Sequence, residues 1–111
     1  MADATTTVGA LKDAAGAFAA ARKWEPFHSP KNLAMALASE VGELLEPFRW
    51  LTADESYAAC RDPASRAAIA DEVADVFNLL MLFSLHSGID VSEAVTAKLE
   101  KNEKKYPRPA G

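Results

Sequence analysis

The sequence predicts an all-α fold, an antiparallel four-helix bundle completed by oligomerisation. Three observations lead there. Apolar residues recur at helical spacing in four segments, no stretch alternates as a strand does, and the prolines and Gly88 fall between segments. Residues 1–7 read as a polar N-terminal tail, 8–107 as one domain and 108–111 as a C-terminal tail. The first helix runs roughly from Val8 to Lys23. The second follows Ser29-Pro30, where serine can cap and proline suits the first helical position, and reaches about Glu46, where Pro47 ends or kinks it. The third starts after Pro63 and stops near Gly88. The fourth opens at Asp90, with Glu93 three residues on in a capping-box-like arrangement, and ends before Pro107.

Composition narrows the class. With 111 residues, 50% of them hydrophobic, the chain has apolar material for one core and too much of it for a disordered segment. The longest strongly apolar run, Val76 to Leu85, is interrupted by Asn78 and Ser84 and is half of the ~20 residues that a membrane span needs. No secretory leader pattern opens the sequence, and the single Cys60 forms no internal disulfide, so the expected location is the cytoplasm. The net charge of −4 argues against a nucleic-acid backbone as partner.

The informative feature is charge placed on apolar faces. At 100° per residue, Leu33, Leu37, Val41 and Leu44 form one stripe on the second helix. Glu40 projects from its middle and Glu43 from its edge. The third helix is apolar nearly all round between Val73 and Leu85. Glu72 points between Leu79 and Phe83, and Asp75 between Leu82 and Leu79. Two i, i+3 acidic pairs therefore aim into apolar surroundings. Burying an unpaired carboxylate costs on the order of several kcal/mol, and four together cannot all stay ionised without positive charge nearby. A hard divalent cation with oxygen ligands resolves both difficulties. Mg²⁺, with Mn²⁺ as the alternative, is the expected cofactor, held by Glu40, Glu43, Glu72 and Asp75. The plainer reading is four solvated acids with helical partners.

The fourth helix shows the opposite sign. Lys98 and Asn102 point with Val91 and Val95, and Lys105 and Tyr106 follow a turn later. These groups either reach phosphate oxygens or the acids, or Lys98 simply snorkels. Arg22 falls on the Val8, Leu11, Ala15, Phe18 side of the first helix, as a structural counter-charge. Aromatic character gathers at Trp24, Phe27 and His28, and again at Phe48 and Trp50. It serves either to sandwich a nucleobase or to close a core. Glu25-Pro-Phe-His28 matches a di-iron Glu-x-x-His unit only superficially, because its prolines oppose the helix which that unit requires. His86 reads as a satisfied core histidine, Cys60 lacks a catalytic histidine signature, and there is no Walker-type loop.

Taken together, Glu40-Val-Gly-Glu43, a spacer of residues 44–71 and Glu72-Val-Ala-Asp75 resemble the MazG-like all-α nucleotide pyrophosphohydrolase superfamily, and within it the small dCTP pyrophosphatase branch. Flanking text carries the same resemblance: Arg22-Lys-Trp-Glu-Pro-Phe-His-Ser-Pro-Lys-Asn-Leu33, Phe48-Arg-Trp50 and Ala97-Lys-Leu-Glu-Lys-Asn-Glu-Lys-Lys-Tyr-Pro107. It covers about residues 18–107. The resemblance implies hydrolysis of a nucleoside triphosphate to the monophosphate and pyrophosphate. By position, Glu40, Glu43, Glu72 and Asp75 would bind Mg²⁺ and serve catalysis. Lys98, Asn102, Lys105 and Tyr106 would meet the triphosphate, and Trp24 and Trp50, with Phe48 and His28, would line the base pocket. A water held at the acidic site would attack the α-phosphorus, with Glu43, nearest the stripe edge, as base. A third helix so widely apolar has more surface than three neighbours cover, and the family forms dimers and tetramers, so a homo-oligomer is expected, a tetramer first. The alternative from another class is a non-catalytic helical module that binds nucleotides or a partner.

Overall fold

The structure, a computed structural model, describes residues 1–110 and is all-helical, with no strand among those residues. Five α-helices follow in order: α1 (Val8–Ala21), α2 (Pro30–Leu45), α3 (Ala53–Arg61), α4 (Pro63–Ser87) and α5 (Val91–Lys105). A short 3₁₀ turn (Glu25–Phe27) lies between α1 and α2.

Local chemistry sets the ends. Thr7 Oγ1 accepts from Ala10 N–H at 3.0 Å, and Ser29 Oγ from Asn32 N–H at 3.1 Å, each satisfying one free donor of a first helical turn. Asn32 Nδ2 also donates to the Phe27 carbonyl at 3.1 Å, which ties the aromatic loop to the start of α2. The second helix ends at Leu45, two residues before Pro47, as expected. Asp62 caps α4 through Ser65 N–H, with Pro63 at the first position, and Gly88 closes it at φ 72°, where a side chain would be strained. Asp90 caps α5 through Glu93 N–H at 2.9 Å.

Two elements depart from the sequence expectation. The first helix stops at Ala21, and the chain reverses at Lys23, whose φ is 57°. The helix α3 is additional to the four expected. Thr52 accepts from Glu55 N–H at 3.2 Å while Glu55 Oε1 accepts from Thr52 N–H at 2.8 Å, a complete capping box. That Thr-x-x-Glu signal is present in the sequence, but the helix it starts is short and polar on average, its apolar residues being mostly alanine.

The long helix α4 organises the rest. It packs most extensively on α2, then on α1, then on α3. Ala19, Leu33 and Leu82 form the buried cluster, with Ala15, Leu79 and Phe83 against it, and Met81 is fully buried. A Cβ on Gly16 would lie 2.7 Å from Leu85 Cδ2, so the missing side chain lets α1 approach α4 closely. Lys12 Nζ donates to the Ile89 carbonyl at 2.7 Å and fixes the α4–α5 corner to α1.

The last helix stands apart. Only marginal contacts join α5 to the rest of the chain, and Val95 and Leu99 on its apolar stripe are 52% and 62% exposed. Within one chain the bundle is therefore α1 to α3 around α4, not four helices closing on one another. The physical reason is a stripe too thin and too flanked by charge to find a seat on its own chain. The radius of gyration is 16.8 Å, against about 13 Å for a compact chain of this length.

Candidate functional site

The acidic pairs meet where α2 crosses α4. Carboxylate oxygens of Glu40, Glu43 and Glu72 all lie within 4.8 Å of one another. Asp75 faces the same group, and its charge acts on both Glu40 and Glu72. Glu40 and Glu72 are half-buried, and Oε2 of each is shielded from solvent without a hydrogen-bond partner. Burial pushes both carboxyl groups above their ordinary value near 4.5. The neighbouring carboxylates, Glu43 first in each case, push the same way. Among the described residues no lysine or arginine pairs with this cluster; the ion pair present, Arg49 to Glu46 at 3.2 Å, lies on the surface.

Such a cluster is unfavourable while all its members are ionised, and a retained proton or a bound cation relieves it. Two orphaned buried oxygens, an all-oxygen donor set and converging negative charge fit a hard divalent ion. The cluster can therefore hold a metal. One consequence is measurable without substrate. A carboxyl raised above its unfolded value binds more protons when folded, so its contribution to stability falls as pH rises from about the unfolded value through the folded one. Glu40→Gln removes that effect. It is expected to raise the melting temperature above wild type in EDTA at pH 7.5, to lose the advantage near pH 4.5, and to weaken any stabilisation by an added divalent cation. Differential scanning fluorimetry checks all three; a Gln variant less stable than wild type at pH 7.5 in EDTA contradicts the strained-cluster account.

A pocket of about 570 Å³ opens beside the acids, within the usual range of small-molecule sites. Ala14, Ala15 and Phe18 of α1 and Trp24 form one wall. Glu40 of α2 and Asp75, Asn78, Leu79 and Leu82 of α4 form the other. The pocket is thus acidic at one end and apolar at the other. The Phe18 and Trp24 rings meet edge to face at 5.6 Å, and the Arg22 guanidinium sits over Phe18 at 3.4 Å while bonding the Phe18 carbonyl. Arg22 thus braces an aromatic wall and forms no ion pair with the acids. Behind Trp24 stands His28, at 6.4 Å between ring centres, and behind that His86, at 5.8 Å. His28 Nδ1 is buried without a partner. His86 is exposed rather than a core residue.

The sequence-identified residues divide into two sets. Glu40, Glu43, Glu72, Asp75 and Trp24 come together, with His28 behind Trp24. Phe48 and Trp50 lie in the turns after α2 and do not line this pocket; Trp50 is 82% exposed, with Arg49 4.8 Å above its ring. Lys98, Asn102, Lys105 and Tyr106 sit on α5 and its C-cap, and Lys105 Nζ lies 5.4 Å from the Tyr106 ring centre. A helix without a seat on its own chain does not carry them to the acids of that chain. Sequence reasoning overlooked Phe18 and Asn78. Both were legible: Phe18 shares the Leu11–Ala15–Arg22 face, and Asn78 lies three residues beyond Asp75.

The model of the MazG-like family matches residues 35–111, a span that holds both acidic pairs. The chain belongs to the MazG-like family. This MazG-like chain is 42% identical over 90 residues to dCTP pyrophosphatase 1 of Homo sapiens and 40% identical over 90 residues to that of Bos taurus. Each alignment covers 81% of this chain and 53% of the relative. The chain thus spans about half the length of the curated relatives it matches. A pyrophosphatase from Archaeoglobus fulgidus shares the fold with a TM-score of 0.82 and 38% identity, over 88% of this chain and 90% of that one.

Proposed function

We propose that this MazG-like chain is a Mg²⁺-dependent pyrophosphohydrolase that converts a nucleoside triphosphate and water to the monophosphate and pyrophosphate. The substrate is dCTP or a related or modified pyrimidine nucleotide, and the role is cleaning of the nucleotide pool in the cytoplasm. One observation carries the reading: a converging carboxylate cluster opens directly onto a pocket whose far end is aromatic. Triphosphate needs the first and a nucleobase suits the second.

Glu40, Glu43, Glu72 and Asp75 would hold the cation, which supplies charge neutralisation and Lewis acidity at the phosphate chain when bound. Mn²⁺ suits the same oxygens. Glu43, the exposed member of the oxygen cluster, takes the proton of the attacking water. The new bond joins the water oxygen to the α-phosphorus, and the bond from that phosphorus to the bridging oxygen breaks, releasing pyrophosphate. Phe18 and Trp24 hold the base and keep bulk water from that end, with His28 backing Trp24. Lys98, Asn102, Lys105 and Tyr106 would reach the triphosphate, and Phe48 and Trp50 the base, once assembly into a homotetramer seats α5 and the turns after α2. The cationic side chains would then offset charge on the departing pyrophosphate.

Pyrophosphate release from a panel of deoxy-, ribo- and modified triphosphates, with Mg²⁺ or with EDTA, tests this reading. Expected are turnover with Mg²⁺, loss of turnover in EDTA, and a preference for pyrimidine deoxynucleotides. Binding of nucleotide without pyrophosphate release from any of them would make the chain a non-catalytic module instead.

A further inference from the structure

The pocket wall on α4 is graded. Asp75 lies at the acidic end, Asn78 and Leu79 follow about one turn further, and Leu82 reaches the apolar end beside Phe18 and Trp24. All four fall on one side of the helix, since three, four and seven residues at 100° return to within about 60° of the start. Leu79 and Leu82 continue the hydrophobic wall. Asn78 does not. Besides the Trp24 indole N–H, a donor alone, it is the uncharged hydrogen-bonding side chain among the residues that line the pocket, and the one that can both donate and accept. Among the described residues, the side-chain hydrogen bonds made by α4 come from Ser65, Arg66, Ser84 and Ser87, which leaves the Asn78 carboxamide uncommitted.

A nucleotide is graded in the same order, phosphate, then sugar, then base. With the phosphates at the acids and the base at Phe18 and Trp24, the sugar falls at the level of residue 78. A 2′-deoxynucleotide presents one free sugar hydroxyl, at the 3′ position. A carboxamide matches it, because it can both accept the hydroxyl proton and donate to the hydroxyl oxygen. We propose that Asn78 is a specificity-determining residue that hydrogen-bonds the sugar 3′-hydroxyl. This rests on the triphosphate hydrolase reading above and adds to it a contact at the sugar.

The test is a cycle of two changes, one in the enzyme and one in the substrate. The full chain with Mg²⁺ is assayed for kcat/KM on dCTP, dTTP, dUTP and dATP, each against its 2′,3′-dideoxy counterpart. Wild type is expected to favour the 3′-hydroxyl by about tenfold, the effect of one hydrogen bond between a ligand and an otherwise unpaired group. Asn78→Leu is expected to lose about tenfold on the deoxynucleotides and to treat the paired substrates alike within about twofold. Asn78→Asp keeps size and acceptor, loses the donor, and is expected to retain part of the preference. A general packing role would lower all rates and leave the ratios at the wild-type value. Ratios unchanged in both variants overturn the proposal, as does a wild type indifferent to the hydroxyl. If wild type releases no pyrophosphate from any triphosphate, the hydrolase reading falls first, and this inference with it.

Discussion

Glu43→Gln and Asp75→Asn are each expected to lower kcat for pyrophosphate release by about 10²–10⁴-fold, the usual scale for removing a positioned proton acceptor or a ligand of the charge-neutralising site. The substitutions act on chemistry rather than on folding. Both side chains are exposed, and neither belongs to the Ala19, Leu33, Leu82 cluster that holds α1, α2 and α4 together. The helical circular dichroism of both variants should therefore match wild type. The two differ in what they remove. Glu43 contributes an oxygen to the cluster and is the proposed proton acceptor, so its loss should raise the Mg²⁺ requirement and still lower kcat at saturating Mg²⁺. Asp75 lines the pocket and adds negative charge beside Glu40 and Glu72, so its loss should also raise the Mg²⁺ concentration needed for half-maximal rate. Steady-state kinetics over a Mg²⁺ titration separates these effects. Full activity in both variants would remove the acidic cluster from the mechanism.

Light scattering at micromolar concentration is expected to give a mass near 48 kDa, about four times the 11.9 kDa chain. The expectation follows from surface. The single chain exposes 8456 Å², whereas a compact monomer of this mass exposes about 5,900 Å². The excess, about 2,500 Å², is of the size that obligate assemblies hide. It is also apolar where it matters: Val73 and Leu80 on α4, Val95 and Leu99 on α5 and Trp50 are all well exposed. Large apolar side chains left this exposed are the kind of surface that assembly covers. Leu99→Asp, on the helix that lacks a seat, should shift the mass toward smaller species. It should also reduce pyrophosphate release, because Lys98, Asn102 and Lys105 lose their position with the helix. A species of about 12 kDa for wild type would contradict assembly.

Much of this was legible in the chain. The four long helices follow from apolar spacing, and their ends from Ser29-Pro30, Asp62-Pro63, Gly88 and Asp90, because caps and breakers act within a few residues. The helix α3 escaped that reasoning because its capping box opens a short stretch that is polar on average. The acidic cluster was legible for a related reason: a charge in the middle of an apolar stripe is anomalous whatever the helix packs against. Phe18 and Asn78 escaped because an aromatic on an apolar face and a polar residue in an apolar run have ordinary explanations until a cavity is seen between them.

The sequence by itself determined that the chain is helical, where its long helices begin and end, and that acidic pairs interrupt its apolar faces. Those properties depend on neighbours within one or two turns. The tertiary structure alone decided that carboxylate oxygens of Glu40, Glu43 and Glu72 converge within 4.8 Å of one another, that Trp24 folds back to Phe18 beside a pocket next to them, and that α5 finds no seat on its own chain. These depend on how side chains far apart in sequence fill one volume, which local spacing does not encode.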